Sequence, residues 1–324
     1  MTMSSPASHT RGPFPVTQAD IPVLNRLFSD AFTERYRRDG LTGVRVPPLN
    51  PDIWRYALRD AGEGAMLWRD AVGALVAFNV AHRSGTEGWM GPLAVRPDQQ
   101  GLGLGRMIVE EAITRLKDAG VTTLGLETMP RTVDNIGFYS RLGFVPGSLT
   151  ITLSRDVPAS VPRGDAVRLG DLEVAARTAM VTACRTSLQE AAPGYDFTRE
   201  MELSAELELG DTAVCERNGV VVGFALWHAA PLAEARRAEE LRVLKVYATE
   251  PPVLLALVRA IEAAARRLRM GRVAIRCQGR FTDAYAALIE RGYEVRWTDL
   301  RMTLAGYPEP ALPPGAVLFS NWEI

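Results

Sequence analysis

Leu93-Ala94-Val95-Arg96-Pro97-Asp98-Gln99-Gln100-Gly101-Leu102-Gly103-Leu104-Gly105-Arg106 reads as an apolar strand, a glycine-rich turn and the opening of a helix. Residues without side chains let backbone N–H groups converge and let a bulky anion come close. The first turn of a helix adds unpaired donors and the positive end of its dipole, so this turn can cradle a pyrophosphate. It can equally be a tight strand–helix connection and nothing more. Two other phosphate motifs are open to test. The Walker pattern requires Gly-Lys-Ser/Thr, and this turn contains no lysine. The dinucleotide fingerprint requires a third glycine where Arg106 stands, although Glu127 ends the next strand at the place of a ribose-binding acid.

Working outward, the chain reads itself twice. Each half opens with Val-x-x-x-Asp leading into a helix, at Val16 to Asp20 and again at Val167 to Asp171. Each then has an apolar hairpin: Met66-Leu67-Trp68 with Val72 to Val80 about Arg69-Asp70, and Ala213 to Glu216 with Val220 to Trp227 about Asn218-Gly219. Asn-Gly between apolar runs is a strong hairpin signal. A strand follows (Trp89 to Val95; Leu241 to Ala248), then an amphipathic helix. The first helix places Val109, Ala112, Ile113 and Leu116 on one face, and the second places Leu254, Leu257, Val258, Ile261, Ala265 and Leu268. Another strand (Thr122 to Met129; Arg272 to Gln278) and a helix running into Leu142-Gly143-Phe144 or Arg291-Gly292-Tyr293 complete each unit. Gly143 and Gly292 lie 149 residues apart, and the same shift lays Val109 on Val258 and Leu126 on Ile275.

Gln100-x-x-Gly103-x-Gly105, opening a helix after Leu-Ala-Val, resembles the acyl-CoA loop of the GNAT N-acetyltransferases. Phe138-Tyr139-Ser140-Arg141-Leu142-Gly143-Phe144 is similar to that family's second signature. The resemblance covers about residues 15 to 155. With the repeat it implies an α/β protein of two tandem GNAT domains, each a mixed, largely antiparallel sheet with splayed central strands flanked by helices.

The resemblance implies site residues as well. Leu93, Ala94 and Val95 would offer strand backbone to a pantetheine arm, one N–H polarising the thioester carbonyl. Gly91-Pro92 fits a bulge or splay in that strand. Gln100, Gly101, Leu102, Gly103, Leu104, Gly105 and Arg106 would hold the pyrophosphate, with Asn135 and Tyr139 completing the cofactor site. Tyr139 would be the general acid, since a phenol with reference pKa of about 10 is protonated near neutrality; a helix aromatic packed on the sheet is the alternative. Glu127, twelve residues earlier, would be the base, as in GNAT enzymes that acetylate protein N-termini. A reference pKa of about 4.3 suits that role only if burial raises it, and a strand-end salt bridge is the competing reading. The asparagine that follows the glutamate by five residues in such enzymes is Thr132 here. His82, placed in a loop after the hairpin, is the second candidate base.

The 149-residue shift puts Glu127 on Arg276, Tyr139 on Leu288 and Gln100 to Gly105 on Thr249 to Leu254. Pro251 and Pro252 lack N–H donors and Glu250 repels an anion, so the second copy is expected to be degenerate and unable to bind acyl-CoA. Its acidic stretch Pro193 to Leu209 is open to two readings, an attraction for a cationic amine or a solvated face. The expected division is a flexible tail (1–14), a cofactor-binding domain (15–155), a linker (156–164), a degenerate domain (165–305) and a C-terminal tail (306–324). Domain one is a strand short after Phe144. The tail strand Ala316 to Phe319 is expected either to cross back and complete its sheet or to close domain two.

Composition sets the outer limits. The 324 residues carry Lys+Arg 37 against Asp+Glu 38, which excludes a bulk polyanion binder. No apolar run approaches the roughly 18 residues of a membrane span, and Met1 to Pro15 lacks a signal peptide's apolar segment. Cys184, Cys215 and Cys277 are odd in number with no CxxC, so neither a disulfide framework nor a zinc site is expected, and a cytoplasmic location is. Only Lys117 and Lys245 are lysines, read here as codon bias. The expectation is an acetyl-CoA-dependent, metal-free enzyme acetylating a primary amine of a small molecule, as a monomer or homodimer without nucleic acid or membrane partners. The alternatives are a protein or peptide N-terminal acetyltransferase and a catalytically silent acyl-CoA-binding or scaffold protein.

Overall fold

The computed structural model describes residues 10–162 and 164–322. The first copy runs β1 (Arg11–Pro15), α1 (Ile21–Arg38), α2 (Pro51–Ala61), β2 (Ala65–Arg69), β3 (Leu75–Ser84), β4 (Glu87–Val95), α3 (Leu104–Asp118), β5 (Thr123–Thr128), α4 (Val133–Arg141) and β6 (Phe144–Asp156). The second runs β7 (Val167–Arg168), α5 (Val174–Ala191), α6 (Thr198–Glu206), β8 (Gly210–Arg217), β9 (Val220–His228), β10 (Glu240–Ala248), α7 (Pro251–Arg267), β11 (Arg272–Gln278), α8 (Thr282–Glu290), β12 (Glu294–Leu304) and β13 (Val317–Ser320). Local chemistry sets these elements. Asn50 caps α2 by accepting from the Asp52 N–H at 3.0 Å, with Pro51 at the first helical position. Asn218 and Gly219 both have positive φ, as a two-residue hairpin turn requires. The expected N-terminal tail is shorter than 1–14: Phe14 and Pro15 of β1 pair with Leu67 and Met66 of β2. Residues 1–9 of that expected tail lie outside the described residues.

The two copies do not form two sheets. All strands join one mixed sheet in the order β1-β2-β3-β4-β5-β12-β6-β11-β10-β9-β8-β7, with β13 attached to β10. The copies have traded strands at the seam. β12 of the second copy lies between β5 and β6 of the first, and β6 of the first lies between β12 and β11 of the second. A local two-fold relates them, because Thr150 pairs with Asp299, its own counterpart 149 residues later. The cause is visible in the chain: the 13-residue β6 has no turn on which to fold back, so the edge left at β5 is filled by the equivalent strand of the other copy. Each core therefore depends on the other. Met302 and Leu304 are buried with α3, β4 and β5, whereas Leu153 is buried with α7, β10 and β11. Fully burying each such side chain is worth about 1.5–3 kcal/mol.

The strand missing from the first copy is thus β12 and not the tail. β13 pairs antiparallel with β10, Lys245 to Ser320 through Ala248 to Val317. Nevertheless the segment reaches the first copy by its side chains, since Ser320 Oγ and Trp322 Nε1 donate to the two Glu87 oxygens at 2.7 and 2.9 Å.

The acidic stretch forms part of the contact between copies. On α6, Glu206 takes a two-pronged bond from Arg59, at 2.9 and 2.7 Å, and Glu200 is buried, accepting from Ser84 on β3. Tyr56 and Ile53 of α2 pack with Leu203 and Leu209. No described helix is long and apolar enough to cross a membrane. The three cysteines are free and buried, and burial pushes the Cys184, Cys215 and Cys277 thiols up to about 12, 11 and 12.

Candidate active site

β4 and β5 run parallel and in register from Glu87–Thr123 to Trp89–Gly125 and then part. The parting follows from a bulge. On the β3 side, Ala81 faces Met90 and Asn79 faces Leu93, so Gly91 and Pro92 are both spanned by the single step at Val80. Beyond it Leu93, Ala94 and Val95 remain paired with Asn79, Phe78 and Ala77, while among the described residues no strand lies along their other edge. An edge of free backbone groups along a gap between two strands is a place for an extended polar chain to bind.

The gap leads to the glycine turn. Gly101 and Gly103 take φ of 78° and 87°, and a Cβ built on either meets nothing within 4 Å, so both are needed for backbone shape and both face open space. Gly103 is the N-cap of α3, and the first N–H to bond back along the helix is that of Met107, to Gly103 O at 3.3 Å. The N–H groups before it point out of the helix end. Gln100 braces the turn, donating to Val95 O at 3.0 Å and accepting from Arg38 at 2.9 Å. Arg106 is exposed and paired with Glu110 at 3.2 Å, a Cβ on Gly105 would meet Phe138 at an ordinary 3.6 Å, and Leu104 is buried in the core. Asn135 sits on α4 with a 3.5 Å contact to Thr128 Oγ1.

Tyr139 is buried on α4 among α3, β4 and β5 residues, its ring edge-on to Phe138 and Phe144. Its hydroxyl makes none of the hydrogen bonds among the described residues, and burial pushes its pKa well above the ordinary phenol value. It stays protonated and has a proton to give.

Glu127 does not have the setting a base requires. Its carboxylate is buried between Arg276 Nη2 at 2.6 Å and Arg301 Nη1 at 2.8 Å, and it also accepts from the Thr150 hydroxyl. Burial works to raise its pKa, but the two guanidinium charges and the hydrogen bonds from Thr150 and Arg301 outweigh that and hold it below the ordinary carboxylate range. Arg276 is the residue that the repeat lays on Glu127, so the equivalent positions of the two copies meet across the strand exchange. His82 is not in a loop. It lies fully buried on β3, Nδ1 at 2.5 Å from Asp60 Oδ2 and its ring stacked on Trp89 at 3.9 Å. Thr132, where the asparagine was expected, bonds Asp39 at the end of α1, at 2.5 Å.

Sequence reasoning missed the polar seam around Glu127. Arg301, 1% exposed, joins Glu127, Glu309 (2.9 Å) and the Ser320 carbonyl (2.9 Å). Lys245, 3% exposed, lies 3.5 Å from Glu87, 3.9 Å from Glu200 and 2.8 Å from Ser320 Oγ. A buried polar side chain in this chain was signalled only by the rarity of lysine. An ammonium on a flexible stem reaches several acceptors in a small space, where a planar guanidinium needs a wide one.

The second copy repeats the geometry with a different occupant. β10 pairs with β11 from Glu240–Arg272 to Val243–Ile275 and then parts from it, bulged at Leu244 against β9. β13 lies along the freed edge, Lys245 to Ala248. At the helix start, Pro251 and Pro252 occupy the first turn, and the Val253 and Leu254 N–H groups are taken by Glu250 O at 3.1 and 3.2 Å.

Comparison with known proteins agrees with this architecture. Residues 24–144 match the model of the acetyltransferase (GNAT) family. Serotonin N-acetyltransferase 2, chloroplastic, of Oryza sativa subsp. japonica is 31% identical over 129 residues, 40% of this chain and 58% of that protein. The [ribosomal protein bS18]-alanine N-acetyltransferase of Escherichia coli K12 is 38% identical over 72 residues, 22% of this chain and 49% of that protein. The chain thus spans about half the length of the curated relatives it matches. Among solved structures, a putative acetyltransferase from Pyrococcus horikoshii superposes with TM-score 0.67 at 15% identity over 97% of this chain and 94% of its own. A tandem GNAT protein from the clavulanic acid biosynthesis pathway does so with TM-score 0.55 at 15% identity, over 93% and 100%. Parted strands, an open glycine-capped helix and a family match lying over both lead to one conclusion: residues 24–144 form a domain of the GNAT acetyltransferase family.

Proposed function

We propose that the first copy binds acetyl-CoA and transfers its acetyl group to a primary amine of a small molecule, by direct attack in a ternary complex. The observation that carries this reading is the gap between β4 and β5 running out to the open N-terminus of α3. The free edge of Leu93–Val95 binds the pantetheine arm, and Gly101 to Arg106 receive the pyrophosphate. The amine nitrogen attacks the thioester carbonyl, forming C–N and breaking C–S. Tyr139 gives its proton to the departing thiolate and is reprotonated by the proton the ammonium releases to solvent. Glu127 serves as a buried counter-ion that positions Arg276 and Arg301, not as the base. The second copy, with β13 along its freed edge and prolines at its helix start, has no cofactor role. Trp322 lies against Gly125 and Gly91 where the gap ends, and α6 packs on α2 beside it, which favours a small acceptor over a protein N-terminus.

The test is release of CoA from acetyl-CoA, in the presence of a panel of amines, by wild type and Tyr139→Phe. Loss of release by at least about tenfold in the variant, with acetyl-CoA binding kept, supports the reading. Binding without release under any amine identifies a silent acyl-CoA-binding or scaffold protein. Release with peptides alone identifies an N-terminal acetyltransferase.

A further inference from the structure

The vertex where β4 and β5 part is closed from one side by an indole. Trp322 is 1% exposed. Its ring lies on Gly125, the last residue of β5 still paired with β4; a Cβ there would come within 2.1 Å of the ring. Its carbonyl stands 3.6 Å from where a Cβ of Gly91, at the start of the bulge, would be. Three contacts lock the ring in place. Nε1 donates to Glu87 at 2.9 Å, the Arg301 guanidinium stacks over it at 3.2 Å from the centroid, and Ser320 holds the preceding turn through Glu87 and Lys245. Where the gap ends, Gly125 therefore faces the large rigid ring and Gly91 faces the backbone carbonyl of the same residue.

We propose that Trp322 is the end wall of the acyl pocket and limits the transferred group to acetyl. This rests on the reading that the acyl thioester enters the β4–β5 gap. An acyl chain reaching in from the α3 end runs toward Gly91 and Gly125 and meets the ring, which its hydrogen bond, its stacked cation and the anchored Ser320 at the end of β13 keep from moving aside. A longer chain gains nothing there until the ring is removed. Each methylene then buried is worth roughly fourfold in affinity.

The experiment is titration calorimetry of the full chain with acetyl-CoA and butyryl-CoA, which requires no acceptor, on wild type, Trp322→Ala and Trp322→Leu. Wild type is expected to favour acetyl-CoA. Trp322→Ala should raise the butyryl-to-acetyl affinity ratio by about fifteenfold, for two methylenes. Trp322→Leu, which keeps an apolar side chain in the packing, should shift the ratio the same way by less and guards against an unfolded alanine variant. A wild-type ratio retained in either variant, with acetyl-CoA still bound, overturns the wall. Failure of wild type to bind any acyl-CoA overturns the functional reading and the wall with it.

Discussion

Glu127→Gln separates a catalytic carboxylate from a structural one, because the two roles predict opposite pairs of outcomes. The carboxylate accepts from Arg276 on one oxygen and Arg301 on the other, at 2.6 and 2.8 Å, and its side chain and that of Arg301 are each 1% exposed. Glutamine keeps one acceptor and turns an NH2 toward the other guanidinium, donor against donor. Arg301 still pairs with Glu309 and Glu87, at 2.9 and 3.8 Å, and Arg276 with Asp299, at 3.1 Å. Removing one partner of a buried pair costs about 3–5 kcal/mol. At roughly 2–4 °C per kcal/mol for a chain of this size class, the melting temperature should fall by on the order of 10 °C. The pH dependence has a definite sign. Because the folded pKa of Glu127 is lowered, its contribution is present above the ordinary carboxyl value and is lost as pH falls through the folded one. The wild-type and variant melting curves should therefore separate at neutral pH and draw together in acid. Calorimetric melts of both proteins across pH make the comparison. A variant that melts within about 2 °C of wild type at pH 7 but loses acetyl transfer would refute the structural role and restore Glu127 as the base.

Two further outcomes follow from the seam between the copies. A chain cut to residues 1–155 lacks β12, so it exposes the β5 and β6 edges and loses Met302 and Leu304 from its core; it should show no cooperative melt, and a truncated chain with a native-like transition and acetyl-CoA binding would contradict the exchange. Burial, with the charge of Asp60, raises the Glu200 pKa to about 8 against the pull of Lys245 and Ser84, so its share of stability is full below about pH 4.5 and lost as pH rises to about 8. Glu200→Gln should flatten the decline of the melting temperature across that window, and an unchanged slope would show that the carboxyl does not titrate there.

Much of the fold was legible because hydrophobic period and turn chemistry are local. The two helices after the central strands, the Asn218-Gly219 turn and the strand Arg272–Gln278 were each written in a few consecutive residues. The glycine turn was legible for the same reason: Gly101 and Gly103 declare a backbone shape that side chains resist. Partnering was not legible. Nothing in Phe144–Asp156 says that its neighbours are β12 and β11, and the 149-residue repeat showed equivalence without showing that equivalent strands change places. The same gap explains Glu127, whose sequence neighbours are uncharged while its partners Arg276 and Arg301 lie 149 and 174 residues away. His82 read as a loop residue because its partners, Asp60 and Trp89, come from other elements.

The central claim is one working cofactor site per chain, in the first copy. Native mass spectrometry of the full chain titrated with acetyl-CoA, beside Gly103→Glu, tests it most directly. The variant puts a side chain and a negative charge at the left-handed cap of α3. One CoA-sized adduct on wild type and none on the folded variant is the expected result. Two adducts per chain, or one that survives in the variant, would place a cofactor in the second copy and contradict the account.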